Sequence, residues 1–423
     1  MKNVLSSTLL TVLLSSMSYV AQGAPDEDVL GKSDHYPYPR NSSSYSVEDE
    51  YKVGEFSHID KIFETRTIKH GPEIYPLPSA PNPPTFTYKY QGKTYTLDDF
   101  LDRQRVTGLL IIKDGTIVVE RYQYERQPEM RMTSNSMAKS ITSMLVGIAL
   151  QDGKIRSLDD TVEQYVPKLH SGPYGNVTIR NLLRMASGVK WSQVYSPGSD
   201  NYRLNNETMF QKARGGVSAI SWVQGTVAPQ GTRFNYSAGD SYVLGLVLQA
   251  AIGTPLADYM SDKLWAPMGA EDDASWVVDW SGMEPGNCCF SARLRDYGRL
   301  GVLLANDGEM NGKQIVDRGY LQEATDSTRQ PGYLQAQVTK EPNDYGYQFW
   351  LERYKSRTFA MFGVYGQALI VQPESKIVMV FTSVWQDADN PPNPERHLLI
   401  NAILKTLGGS IEGVGKRPSF NPG

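Results

Sequence analysis

Apolar residues follow two different patterns in the central part of the chain. The run from Gly108 to Tyr122 holds two strand-like apolar stretches that meet at Asp114-Gly115, a dipeptide typical of a tight hairpin turn. From Ser134 to Leu150 the apolar positions instead recur every three or four residues, which predicts a helix with one buried face. A strand hairpin followed directly by a buried helix is therefore expected.

The remaining pattern predicts a helical region and then a return to strands. From about residue 158 to 285, short helical patterns, including 179–185 and 242–252, are broken by Gly and Pro. Beyond them we predict a helix at 291–306, strands at 345–351, 368–372 and 376–384, and a closing helix at 394–407. This order indicates an α/β (α+β) fold, in which an antiparallel sheet flanked by helices is built from both ends of the chain around an inserted all-helical lobe.

The first residues are typical of a signal peptide. One Lys precedes an apolar run that reaches about Val20 and is followed by the small residues of Ala21-Gln22-Gly23. The run is too short and too rich in Ser to span a bilayer comfortably. We therefore expect a signal peptide at 1–23, an extended N-terminal segment at 24–95, a main domain at 96–410 and a flexible tail at 411–423. The mature protein is expected in the periplasm or secreted, without stable membrane insertion.

Charge and cysteine content exclude several classes of function. The formal net charge is -4, with acids and bases mixed along the chain, so no basic stripe for nucleic acid is present. The two cysteines, Cys288 and Cys289, are adjacent, and they form either a vicinal disulfide or two free thiols. No clustered metal ligands are seen, and we expect no metal, no cofactor and a small-molecule partner. The sequence leaves the oligomeric state open.

The first candidate for chemistry is an S-x-x-K motif at the start of the predicted buried helix, Ser136-Met-Ala-Lys139. Helical spacing places both side chains on one face, so Lys139 can reach the Ser136 hydroxyl. The helix dipole and burial both disfavour an ammonium there, which would leave a neutral amine able to accept the hydroxyl proton. The alternative is a helix cap beside a solvated lysine. A second match, Ser187-Gly-Val-Lys190, lies just past a predicted helix end and is interpreted as a helix stop.

Two further motifs follow in order along the chain. Tyr236 lies in Phe234-Asn-Tyr-Ser-Ala, on a short loop before a predicted helix, and Gly363-Val-Tyr-Gly366 precedes a predicted strand. Together with S-x-x-K, these motifs resemble those of serine β-lactamases, penicillin-binding carboxypeptidases and their esterase relatives. The Tyr-Ser-Ala form, and the absence of the usual Lys-Thr-Gly or His-Thr-Gly, resemble the 6-aminohexanoate-dimer hydrolase and β-lactamase-like carboxylesterase branch.

The resemblance implies a fold, a mechanism and a set of site residues. The fold would be β-lactamase/transpeptidase-like, and catalysis would proceed through an acyl-enzyme on the serine. The roles implied are nucleophile for Ser136, proton relay for Lys139 and Tyr236, oxyanion hole for the N–H groups of Ser136 and Val364, and substrate binding for Tyr195 and Tyr365. A shifted register would make Gln367 the second oxyanion donor.

Three functions remain open on this reading. The first is an exported serine hydrolase that cleaves an ester or amide. The second is a β-lactamase or D-alanyl carboxypeptidase, against which the missing Lys and the missing Tyr-x-Asn count. The third is a non-catalytic ligand-binding protein on the same fold. No G-x-S-x-G motif is present, which argues against a nucleophile-elbow hydrolase.

Overall fold

The computed structural model describes residues 23–388 and 393–413, so residues 1–22 of the predicted signal peptide and 414–423 of the predicted tail lie outside it. The helices are α1 Asp49–Ser57, α2 Ile59–Ile62, α3 Leu97–Leu101, α4 Met137–Gln151, α5 Val162–Tyr165, α6 Ile179–Leu183, α7 Asp200–Asn205, α8 Ala238–Ile252, α9 Leu256–Met260, α10 Leu294–Ala305, α11 Arg318–Thr325, α12 Ala336–Thr339 and α13 Pro394–Thr406. The strands are β1 Thr65–Ile68, β2 Thr87–Tyr90, β3 Lys93–Thr96, β4 Val106–Lys113, β5 Thr116–Tyr122, β6 Arg131–Thr133, β7 Ala274–Val277, β8 Phe290–Arg293, β9 Glu309–Met310, β10 Lys313–Gln314, β11 Asp344–Tyr345, β12 Trp350–Glu352, β13 Thr358–Gly363, β14 Gln367–Gln372 and β15 Ile377–Ser383.

The main sheet has seven strands in the order β11-β12-β13-β14-β15-β4-β5. All its pairs are antiparallel, and β15 pairs with β4 from Ile377↔Lys113 to Ser383↔Val106. The predicted sheet built from both ends of the chain is therefore confirmed. A smaller four-stranded sheet, in the order β1-β7-β8-β6, lies beside it.

Helices cover both faces of the main sheet. On one face α4, α8 and α10 share a continuous apolar core with inward residues of β13, β14 and β15. The approach of α10 is close, because a Cβ at Gly301 would overlap a methyl group of Val378. On the other face α3 and α13 pack against residues such as Leu109 and Met379. The α4 helix that starts at the candidate serine is thus buried in this core.

Two predicted elements differ from those observed, and one observed strand was not predicted. The helix predicted at 291–306 begins only at Leu294, because Phe290–Arg293 pairs as β8 between β6 and β7. The strand predicted at 345–351 is two short strands, β11 and β12, joined by a turn. Strand β13 was missed, although it lies inside the sheet. Strand pairing within the sheets decided all three, and such pairing outweighs local propensity.

The helical lobe and the N-terminal segment each contain both helices and strands, which was not predicted. The lobe region 158–285 contains α5 to α9 but ends in strand β7. The segment 24–95, predicted as extended, contains α1 and α2 as well as β1, which pairs with β7. In the described part of the chain no single helix is long and apolar enough to cross a membrane, although the bent pair Ala238–Ile252 and Leu256–Trp265 passes on length and composition.

Candidate active site

Ser136 and Lys139 are in direct contact at the start of α4. The Lys139 Nζ donates a hydrogen bond to Ser136 Oγ over 2.9 Å. Ser136 occupies the N-cap position, but its hydroxyl accepts no backbone N–H there. Lys139 is only 2% exposed. The alternative of a capping serine beside a solvated lysine therefore does not describe this pair.

The second S-x-x-K match has a different geometry. Ser187 donates its hydroxyl to Asp240 Oδ1 over 2.8 Å, and Lys190 is exposed. The Ser187 hydroxyl thus serves a structural hydrogen bond at the start of α8. Helical placement separates the two motifs, since only at Ser136 do both side chains share one face of a helix.

The Lys139 ammonium loses most of its hydration at this position. Its Nζ donates a second hydrogen bond to the Asn287 carbonyl over 2.7 Å and lies 5.3 Å from the centre of the Tyr236 ring. Burial lowers the pKa of Lys139 to about 7. A substantial neutral fraction is therefore present near pH 7, and a neutral amine can act as a general base.

Tyr236 lies beside this pair, on the loop before α8. The loop is held by Ser237, whose hydroxyl accepts the Asp240 N–H over 3.1 Å as the helix cap. The Tyr236 ring stacks on Trp350 with 5.4 Å between ring centres. Burial raises the pKa of Tyr236, while its hydrogen-bonding with Ser136 opposes the rise. Tyr236 is therefore a neutral phenol at neutral pH, able to donate and accept a proton in a relay.

The end of β13 abuts the residues before Ser136. A Cβ at Gly363 would overlap the Ser134 carbonyl oxygen and lie 3.1 Å from the Asn135 Cβ. Asn135 Nδ2 donates to the Val364 carbonyl over 3.0 Å. The turn after β13 is thus held against the residues immediately before Ser136, which is where a second oxyanion donor has to lie.

The hairpin register bears on the choice between Val364 and Gln367. Gln367 pairs with Gly363 at the start of β14, and its side chain is bonded to Ser383 through Nε2 and Oε1. Val364 instead lies in the turn itself, in contact with Asn135. This placement favours Val364 as the second oxyanion donor.

We expect Gly363→Ala to lower kcat/KM by about 100-fold, comparable to removal of one oxyanion donor. The added methyl group would push the turn away from Ser134 and so displace the Val364 N–H. Steady-state kinetics with a p-nitrophenyl ester measures the effect. Gly332→Ala is the matched control, since a Cβ there meets nothing within 4 Å. Equal kinetics for the two variants would contradict the assignment of this turn.

The two tyrosines assigned to substrate binding lie on different sides of the site. Tyr195 is half-buried on the loop before α7, close enough to Tyr236 to contribute to the raised pKa of that phenol. Gln193 ties this loop to α8 by accepting the Ala238 N–H over 2.8 Å. Tyr365 instead turns its ring toward the N-terminal segment, where it meets Phe56 edge-to-face at 5.4 Å.

Two asparagines of the site were missed by the sequence analysis. Asn135 holds the Val364 turn, and its position next to Ser136 was the only available signal. Asn287 provides the carbonyl that binds Lys139, and its own Oδ1 is buried without a hydrogen-bond partner. It adjoins Cys288 and Cys289, which are joined as a vicinal disulfide. Within the described ranges, no group of three or more His, Cys, Asp or Glu side chains could hold a metal ion.

The chain is similar to known proteins in both sequence and structure. A protein-family model described as Beta-lactamase matches residues 96–402. The 6-aminohexanoate-dimer hydrolase of Paenarthrobacter ureafaciens is 24% identical over 324 residues, which cover 75% of this chain and 82% of that protein. A candidate D-alanyl-D-alanine carboxypeptidase of Salmonella typhimurium is 23% identical over 238 residues, 51% of this chain and 54% of that protein.

Solved structures show the same architecture. A candidate 6-aminohexanoate-dimer hydrolase from Bacillus anthracis superposes with a TM-score of 0.76 at 24% identity, covering 87% of this chain and 96% of that chain. A family VIII carboxylesterase superposes with a TM-score of 0.55 at 18% identity, covering 72% of this chain and 93% of that chain. At these identities the likeness concerns the fold, and it confirms the predicted fold class.

Proposed function

Because the chain belongs to the beta-lactamase family, whose model matches residues 96–402, we propose that it is an exported serine hydrolase that cleaves an ester or amide through an acyl-enzyme on Ser136. The observation that carries the proposal is the hydrogen bond from buried Lys139 to Ser136 Oγ. A buried lysine without a counter-ion lowers the stability of the folded protein, so its presence calls for a functional explanation. Activation of the serine is such an explanation.

The geometry supports a two-step mechanism. Neutral Lys139 accepts the Ser136 proton as Oγ bonds to the substrate carbonyl carbon, and the N–H groups of Ser136 and Val364 stabilise the oxyanion. Collapse of the intermediate breaks the bond to the leaving amine or alcohol. That group takes the proton from Lys139, directly or through Tyr236. Water, deprotonated by the same groups, then attacks the acyl-enzyme, and Ser136 recovers its proton as the carboxylic acid leaves.

The end of β13 supports ester or amide substrates over β-lactams. Residues Met361-Phe362-Gly363 supply no ammonium group where family members with Lys-Thr-Gly present one to the substrate carboxylate. Similarity to 6-aminohexanoate-dimer hydrolase and to a family VIII carboxylesterase points the same way. Similarity to a candidate D-alanyl-D-alanine carboxypeptidase keeps β-lactam or D-alanyl peptide cleavage as the second candidate.

Export to the periplasm or medium rests on the N-terminal sequence pattern alone.

A substrate panel tests the proposal. The purified protein is assayed with short-chain p-nitrophenyl esters, aminohexanoate oligomers and nitrocefin, and a fluorophosphonate probe is mapped by peptide mass spectrometry. We expect turnover of esters or aminohexanoate amides well above that of nitrocefin, with the probe on Ser136. Nitrocefin turnover equal to ester turnover would favour the β-lactamase reading. No turnover and no labelling of Ser136 would favour a non-catalytic binder.

A further inference from the structure

Helix α1 lies outside the part of the chain that matches the family model, yet it contacts the turn that follows β13. Lys52 of this helix is 2% exposed, and its Nζ donates to the carbonyls of Trp385 and Gln386 over 3.2 and 3.3 Å. The same Nζ lies 4.9 Å from the centre of the Tyr365 ring. Phe56, one turn further along α1, meets that ring edge-to-face.

The turn that α1 contacts has an unusual backbone. Tyr365 has φ 61° and ψ 28°, a left-handed conformation that bulky residues rarely adopt. Such a conformation persists when the surrounding contacts over-determine it. The Tyr365 carbonyl accepts the Trp385 N–H over 3.2 Å and the Gln367 Nε2 over 3.2 Å. Lys52 therefore contacts the ring of Tyr365 and also the carbonyl of Trp385, the residue whose N–H binds the Tyr365 carbonyl.

The conformation of Tyr365 is linked to the chemistry through one peptide bond. Val364 and Tyr365 are consecutive in the turn, so the torsion angles at Tyr365 and the orientation of the Val364 backbone change together. Asn135 fixes the Val364 carbonyl from the side of Ser136, over 3.0 Å. Contacts from α1 fix the opposite side of the same turn. The turn that contains Val364 and Tyr365 is thus held between the residues before α4 and the N-terminal segment.

We propose that Lys52 and Phe56 are positioning residues for the oxyanion hole, and that the N-terminal segment acts through them on Tyr365 as part of the active site. This inference rests on the proposed function. Its physical basis is that an oxyanion donor is effective only when it is preorganised, because displacement by a fraction of an ångström weakens the hydrogen bond formed in the transition state. In this role Tyr365 transmits the contact from α1 to the turn and does not bind substrate.

The test uses Phe56→Leu and Lys52→Met in the full chain. Each variant removes the contact with Tyr365 and leaves an apolar side chain, and Lys52→Met also removes the ion pair of Lys52 with Asp49. We expect kcat on a p-nitrophenyl ester and the affinity for a boronic acid transition-state analogue to fall together by about tenfold, less than the loss expected for a missing oxyanion donor. KM is expected to change by less than twofold.

Phe63→Leu and Lys32→Met are the matched controls. Phe63 is buried in the same segment but packs on Tyr45 and Phe210, and Lys32 pairs with Glu27 near the surface. Both controls are expected to keep the kcat and boronate affinity of the unmodified protein. If Lys52→Met fails to fold, Phe56→Leu decides the outcome alone.

Two results would overturn the inference. Folded variants with unchanged kcat and boronate affinity would show that α1 serves stability only. A rise in KM alone would assign Tyr365 to substrate contact. Labelling of Ser136 by fluorophosphonate in the unmodified protein separates these failures from failure of the proposed function, because an unlabelled, inactive protein would refute both.

Discussion

We expect Ser136→Ala to lower kcat/KM for ester and amide substrates by at least about 1000-fold, because under the proposed mechanism it removes the atom that bonds to the substrate carbonyl. Lys139, Tyr236 and the turn at Val364 remain, so the residual rate comes from oxyanion stabilisation and binding alone. The measurement is initial-rate kinetics of the variant beside the unmodified protein. Covalent labelling by the fluorophosphonate probe is lost in parallel.

Ser187→Ala is the control for this prediction. Ser187 belongs to the second S-x-x-K match but bonds to Asp240, so the variant loses a buried hydrogen bond worth about 1 kcal/mol and keeps its kcat. Thermal unfolding separates the two effects, since Ser187→Ala lowers the melting temperature without lowering turnover. Undiminished activity in Ser136→Ala would refute the assigned nucleophile.

The second large effect concerns pH. Because burial lowers the pKa of Lys139 to about 7, the amine is protonated below that pH and cannot accept the Ser136 proton. We expect kcat/KM to rise as the pH passes through about 7 and to level off above pH 8. Lys139→Met removes the proposed general base, so it is expected to lower kcat/KM by about 100- to 10,000-fold on the plateau above pH 8 and to abolish the rising limb.

A neighbouring carboxyl group titrates in the same range and needs its own control. Burial raises the pKa of Asp240 to about 7, and this residue lies on the first turn of α8, just beyond Tyr236. Asp240 loses its proton as the pH rises, so its titration would also change kcat/KM over this pH range. Asp240→Asn is expected to retain the rising limb. If kcat/KM of Asp240→Asn did not rise with pH, the group that controls activity would be Asp240 and not Lys139.

Local signals predicted the elements that depend on neighbours in the chain. The hairpin turn at Asp114-Gly115, the apolar stripe of α4 and the i, i+3 spacing of Ser136 and Lys139 are each complete within one element. The helix after Tyr236 likewise begins at Ser237, whose side chain caps it. The order of these motifs, and the resemblance they carry, were sufficient to predict the fold that the solved structures confirm.

Elements and contacts that depend on distant partners could not be predicted from the sequence. Strand β8 resembles the start of a helix in the sequence, because one of its partners, β6, lies far away in the chain and the other, β7, was itself not predicted. The contact between Asn287 and Lys139 joins positions 148 residues apart. No local pattern at either residue indicates that it contacts the other.

The sequence by itself determined the α4 helix, its serine and lysine on one face, the tyrosine before α8 and the family to which the chain belongs. The tertiary structure alone decided that Lys139 is buried against Asn287, that the turn at Val364 lies beside Ser136, and that α1 packs on Tyr365. The physical reason is one of range. Periodicity, capping and turn chemistry act within a few residues, whereas burial and the pKa that follows from it are properties of the packed molecule.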